Sequence, residues 1–106
     1  MNSPESQIIV KRFFEALDTI IEAGVLRGRR TFTERYGINR WNLYTLKENP
    51  ERDIFQPGWL TPLVKDFHVS ARWILTGEGD FYQEGWTHEL VRLAIDYEKE
   101  KANGCK

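Results

Sequence analysis

The sequence predicts an all-α fold of five short helices followed by an extra C-terminal helix. Three observations carry that expectation. Apolar residues recur at three- and four-residue steps in successive segments, the spacing of one face of a helix. No segment shows the period-two alternation of a half-buried strand. Gly, Pro, Ser and Asn stand where helices must start or stop.

Each element can be justified in turn. Ser3-Pro4-Glu5 is a helix entry, and from Gln7 to about Gly24 the residues Ile9, Phe13, Ala16, Leu17, Ile20 and Ile21 form one apolar stripe. Lys11, Arg12, Glu15, Asp18 and Glu22 fall mostly away from that stripe. Arg29 to Gly37 reads as a short helix with Phe32 and Tyr36 four apart, ended by Gly37 at positive φ. Asn39 caps the next helix, which runs to about Asn49 before Pro50 forbids continuation and buries Leu43 and Leu46. Pro50 to Pro57 is a polar connector anchored by Ile54 and Phe55. Gly58 to His68 resumes helical spacing through Leu60, Leu63, Val64 and Phe67. Ser70 caps a short helix over Ala71 to Thr76, ended by Gly77-Glu78-Gly79. The last helix spans Trp86 to Lys101, with Trp86, Leu90, Leu93, Ala94 and Tyr97 on one side.

The 106 residues suffice for one domain, and 41% apolar with 29% charged residues argues against disorder. Six Phe, four Trp and four Tyr supply the bulk of a core. Apolar runs of three or four residues cannot cross a membrane, and no basic stretch leads into an apolar one as a signal peptide requires. A single Cys105 excludes a disulfide framework, and His68 and His88 are too far apart for a zinc motif. Neither a catalytic constellation nor a cofactor motif is present, so the chain is expected to be a cytoplasmic non-enzyme without cofactor or metal.

Net charge is only −1, but it is unevenly distributed. Between Arg27 and Lys47, Arg27, Arg29, Arg30, Arg35, Arg40 and Lys47 face Glu34 alone, a local balance of +5. Between Thr76 and Glu100, seven acids oppose Arg92 and Lys99, a balance of −5. A basic middle attracts phosphates whatever the global sum; a solvated helix face with an acidic, solubilising tail has the same composition.

Arg29 to Glu48 carries the functional signal. Two helices locked at a fixed angle need an apolar residue and then a small one in the first helix, a Gly at the turn, an apolar residue after it and two more in the second helix. Phe32, Thr33, Gly37, Ile38, Leu43 and Leu46 occupy those places in order. With Val69-Ser70-Ala71-Arg72-Trp73-Ile74-Leu75-Thr76-Gly77-Glu78-Gly79, this segment resembles the helix-turn-helix domain of phage-repressor-type, lambda-repressor-like transcriptional regulators. The resemblance covers roughly residues 8 to 82. It implies a five-helix DNA-binding domain over 7–82, binding double-stranded DNA as a homodimer, and leaves unexplained 83–106, read as a C-terminal helix and tail and a candidate dimerisation element. Thr33 is bulkier than the family's usual Ala, and Glu48 stands where the family commonly has Asn; a carboxylate there repels phosphate unless Lys47 or Arg52 neutralises it.

On a helix from Asn39 to Asn49, Trp41, Thr45 and Glu48 lie about 140° to 200° from Leu43, flanked by Tyr44 and Asn42. Such a face enters the major groove. Arg40 is the first candidate for base reading, since guanidinium pairs bidentately with guanine; a phosphate contact is its alternative. Trp41 has four openings: a thymine methyl, a sugar edge, a fold back over Ile38, or a protein partner. Asn42, Tyr44 and Thr45 offer hydrogen bonds to bases or phosphates, and Asn39 is read as a cap. Arg29 and Arg30, at the start of their helix, match the family's phosphate-binding position, with Lys47 reaching the backbone on the other side.

The C-terminal stripe either packs on the first helix or pairs with its copy across a two-fold axis, the latter preferred because the stripe lies beyond the family domain. No small-molecule effector is evident. The functional reading is a small prokaryotic or phage transcriptional regulator acting by operator occupancy. Its rival is a protein-interaction module that keeps the fold without specific DNA binding.

Overall fold

The fold was obtained as a computed structural model, and the structure describes residues 3–95. It is all-helical, with no strand among the described residues. Helix α1 (Pro4–Glu22) begins a turn earlier than the apolar spacing alone indicates. Ser3 Oγ accepts the Ser6 N–H, and Pro4 occupies a first-turn position that needs no N–H donor. Its buried face is Val10, Phe13, Phe14, Ala16, Leu17 and Ile20, while Ile9 and Ile21 are only half-buried. After Gly24, the Val25 and Leu26 N–H groups both donate to Ile20 O, at 2.9 and 3.3 Å, which folds these two side chains into the core.

Helix α2 (Arg29–Tyr36) ends at Gly37, whose φ of 64° lets the Ile38 N–H turn back to Thr33 O at 2.9 Å. Asn39 Oδ1 accepts the Asn42 N–H at 3.0 Å and starts helix α3 (Arg40–Glu48), which buries Leu43 and Leu46. A 3-10 turn (Pro57–Trp59) leads into helix α4 (Leu60–Lys65). This helix is shorter than the expected 58–68. The chain reverses at His68, a non-glycine residue with φ of 58°, and the Val69 N–H closes onto Leu63 O at 2.9 Å.

Helix α5 (Ala71–Thr76) is capped by Ser70 Oγ and stopped by Gly77, as expected. Its C-terminal carbonyls are satisfied from across the fold: Arg12 Nη1 donates to Ile74 O at 3.3 Å and Leu75 O at 3.2 Å. Arg12 is thus a structural residue of α1 and not a solvated one.

Residues 81–83 lace α4 and α5 together. Val69 and Tyr82 form an isolated antiparallel bridge, with Ser70 N–H to Phe81 O at 2.8 Å and Gln83 N–H to His68 O at 2.9 Å. Gln83 Nε2 donates to Val64 O and Val69 O. Trp86 stacks flat on His68, rings 3.5 Å apart, and Thr87 Oγ1 accepts the Leu90 N–H. A last helix, α6, therefore starts at 88 and not at Trp86; it is described to 95.

The inward face of α6 differs from the expected stripe. Val91 and Ile95 are buried in the same core as α1, whereas Leu90 and Leu93 are 45% and 64% exposed. Trp86 belongs to the connection, and Tyr97 and Cys105 lie outside the described residues. The described part of α6 thus packs in cis.

Two predictions follow from these closures. Gly37 and Gly77 both have positive φ, but a Cβ at Gly37 meets open space, whereas one at Gly77 would lie 2.6 Å from Arg12 Nη2. Gly37→Ala should cost about 1–2 kcal/mol of backbone strain. Gly77→Ala should cost about 1 kcal/mol more, because it also displaces the Arg12 cap; urea denaturation of both variants measures the difference. The second concerns Tyr82, whose phenol hydrogen-bonds His88 Nδ1 at 2.7 Å and is pushed above its ordinary pKa of 10.0 by burial. The folded pKa being the higher, this contribution to stability is intact below pH 10.0 and is lost as pH rises through the folded value. Ultraviolet titration should show a late-ionising phenol that is lost in Tyr82→Phe.

Candidate nucleic-acid interface

Phe14 brings the candidate residues together. Its ring faces the junction of α2 and α3, with Arg29 Cζ 5.8 Å and Lys47 Nζ 5.4 Å from the centroid. Beside it lies a cleft of about 160 Å³ lined by Phe14, Arg29, Arg30, Arg40, Leu43 and Tyr44. Five of the eight residues named from sequence, Arg29, Arg30, Arg40, Tyr44 and Lys47, therefore share one patch. The first turn of α2 opens beside it with no side-chain cap on Gly28 and no acidic residue, so its N–H dipoles add to the cationic field.

The cations differ in how far they are committed. Arg29 grips Asp18 of α1 through Nη2 to both carboxylate oxygens, at 2.8 and 2.9 Å, and through Nε at 3.1 Å. This clamp fixes the start of α2 against α1, so Arg29 is a structural anchor at the edge of the patch. Arg30 Nε reaches Glu34 at 2.9 Å, an exposed i,i+4 pair that is easily exchanged. Arg40 is exposed and has no hydrogen-bond or ion-pair partner among the described residues. Lys47 makes only the ring contact with Phe14.

The exposed face of α3 is centred closer to Tyr44 than helical geometry from Leu43 alone indicates. Arg40, Trp41, Tyr44, Lys47 and Glu48 are exposed, Trp41 at 73% and Tyr44 at 61%. Asn42 and Thr45 are half-buried, and Thr45 O is taken up by Asn49 at the helix end. With so much of its surface open, the Trp41 indole is not folded over Ile38. Glu48 remains exposed beside Lys47.

Sequence reasoning missed Phe14 as the hub and Asp18 as the partner of Arg29. Nothing local marks a carboxylate on α1 as the mate of an arginine 11 residues on. Glu34 could have been found, since its spacing from Arg30 is that of a helical ion pair. Elsewhere, His68 is engaged by Trp86 and His88 by Tyr82. No group of His, Cys, Asp and Glu suited to a metal occurs among the described residues, and no helix there is long and apolar enough to cross a membrane. Comparison with protein-family models, curated proteins and solved structures returns no match.

The unequal commitment of these cations is measurable. Asp18→Asn should lower stability by about 0.5–1 kcal/mol by releasing the Arg29 clamp, whereas Arg40→Ala should leave the urea midpoint within the error of the wild-type value.

Proposed function

We propose that the protein binds double-stranded DNA sequence-specifically, as a small transcriptional regulator of the phage-repressor type acting by operator occupancy. On this reading α1 to α5 form a lambda-repressor-like domain, α2 and α3 its helix-turn-helix, and α6 an addition. The observation that carries it is the face of α3 next to the start of α2. Arg40 and Lys47 are uncommitted to any carboxylate among the described residues and flank Trp41 and Tyr44 on one exposed surface. Arg40 and Trp41, in the first turn of α3, would lie closest to base edges, with Tyr44 and Lys47 following along the groove. Arg30, once exchanged from Glu34, and the α2 N-terminus would hold phosphate. Half-buried Asn42 and Thr45 would contribute from the edge of this face.

A two-fold operator calls for a homodimer, and the exposed Leu90 and Leu93 of α6 offer apolar surface for it while Val91 and Ile95 hold the helix to its own core. A second reading, a protein-interaction module, is favoured by the exposed Trp41 and by the neutralisation of Arg29 and Arg30 within the chain.

Selection of bound duplexes from a random library at low and moderate salt separates the two. Sequence-specific binding should enrich a two-fold motif, lost in the double variant Arg40→Ala, Trp41→Ala. Log affinity should fall linearly with log salt, and Lys47→Ala should reduce that slope by about one. Absence of binding at low salt would refute the proposal and leave a protein partner on Trp41.

A further inference from the structure

Trp41 and Tyr44 are the two largest apolar side chains that α3 leaves in solvent, and they stand one turn apart. The other tryptophans of the chain are covered: Trp59 is buried, Trp73 meets Phe81 edge-on at 4.9 Å, and Trp86 lies on His68. An indole held in water forgoes the stabilisation that burial of its apolar surface supplies. A surface carrying two such rings gains by meeting something apolar.

The flanking Arg40 and Lys47 direct that surface toward a polyanion. Inside a duplex the faces of the bases are closed by stacking, and the edges lining the major groove are almost wholly polar. The apolar group exposed there is the C5-methyl of thymine. We infer that Trp41 and Tyr44 read thymine methyl groups, so that each half-site bound by α3 carries two adjacent thymines on one strand. This inference rests on the DNA-binding reading above and assigns the sequence class it prefers.

The geometry fits that step. Three residues advance a helix by about 4.5 Å and rotate it through about 300°, leaving the two side chains about 60° apart on the same side. Successive nucleotides of one strand are about 3.4 Å apart along the duplex axis. Two long rings one turn apart thus reach neighbouring base pairs. Arg40, beside Trp41, is free to take a guanine edge or a phosphate next to that step.

Replacing thymine by uracil removes the methyl group and nothing else, so it isolates this contact. In the motif enriched from the random library, each of the two substitutions should weaken wild-type binding about fourfold, and the pair about fifteenfold. Trp41→Ala and Tyr44→Ala truncate exposed side chains, so their melting temperatures should match wild type. Each variant should bind the thymine and uracil duplexes equally at one of the two positions. Specific binding with equal affinity for thymine and uracil duplexes, or a motif without adjacent thymines, would overturn the inference and leave the regulator standing. No enrichment at any salt would remove the DNA-binding reading itself, and the inference with it.

Discussion

Phe13 and Phe14 sit side by side on α1, and the rest of the molecule is arranged around them. Adjacent residues on a helix diverge by about 100°, so the two rings serve different neighbours. Phe13 is fully buried against Phe14, Phe32, Phe55 and Trp59, which brings α2, the connector and the 3-10 turn onto one point of α1. Phe14 turns to the other side and carries Arg29 and Lys47 over its ring. The start of α2 and the end of α3 are thereby held to a single aromatic pair, and the exposed face of α3 inherits its orientation from that pair. Burial of two such rings is worth about 1.5–3 kcal/mol each, a large share of what holds so small a domain together.

The second constraint is the closing of helix ends by side chains from distant segments. Arg12 reaches the last carbonyls of α5, and Gln83 donates to carbonyls at the end of α4 and just beyond it. Short helices cannot satisfy their own ends, so a six-residue helix is stable only where something else takes up its free carbonyls. These contacts make α4, α5 and the 81–83 segment one block against α1. The His68–Trp86 stack and the Thr87 cap then deliver Val91 and Ile95 to the core. Among the described residues no buried side-chain polar atom is left unpartnered, which is what a block closed by such contacts requires.

Charge follows the same logic. Counting cations between Arg27 and Lys47 overstates the field at the patch, because Asp18 and Glu34 answer Arg29 and Arg30. Of the other four cations, Arg27 precedes α2 and Arg35 lies within it, while Arg40 and Lys47 bracket the exposed aromatics of α3. The chain as a whole carries a net charge of only −1, so no long-range field of one sign surrounds this patch.

The helical class and the caps were legible in the sequence because they depend on neighbours within four residues. Ser3, Asn39 and Ser70 accept N–H groups from the first turns they precede, and Gly37 and Gly77 take the positive φ that ends α2 and α5. Helical geometry set Trp41 away from Leu43 but centred the outward face on Thr45 and Glu48; Arg40 and Lys47 lie only about 60° and 40° from Leu43 by rotation along the helix, and packing leaves them exposed with Trp41 and Tyr44. The length of α4, the inward face of α6 and the fate of Arg12, Arg29 and Trp86 were not legible in the sequence. Val91 and Ile95 are spaced four apart, as are Leu90 and Ala94, so periodicity permits either stripe to face inward. Only the docking of α6 through Trp86 and Thr87 chooses between them. By itself the sequence determined the helical class and the local caps and stops at Ser3, Gly37, Asn39, Ser70 and Gly77. The tertiary structure decided which faces and which charges are spent inside the fold, because that depends on partners brought close in space from far along the chain.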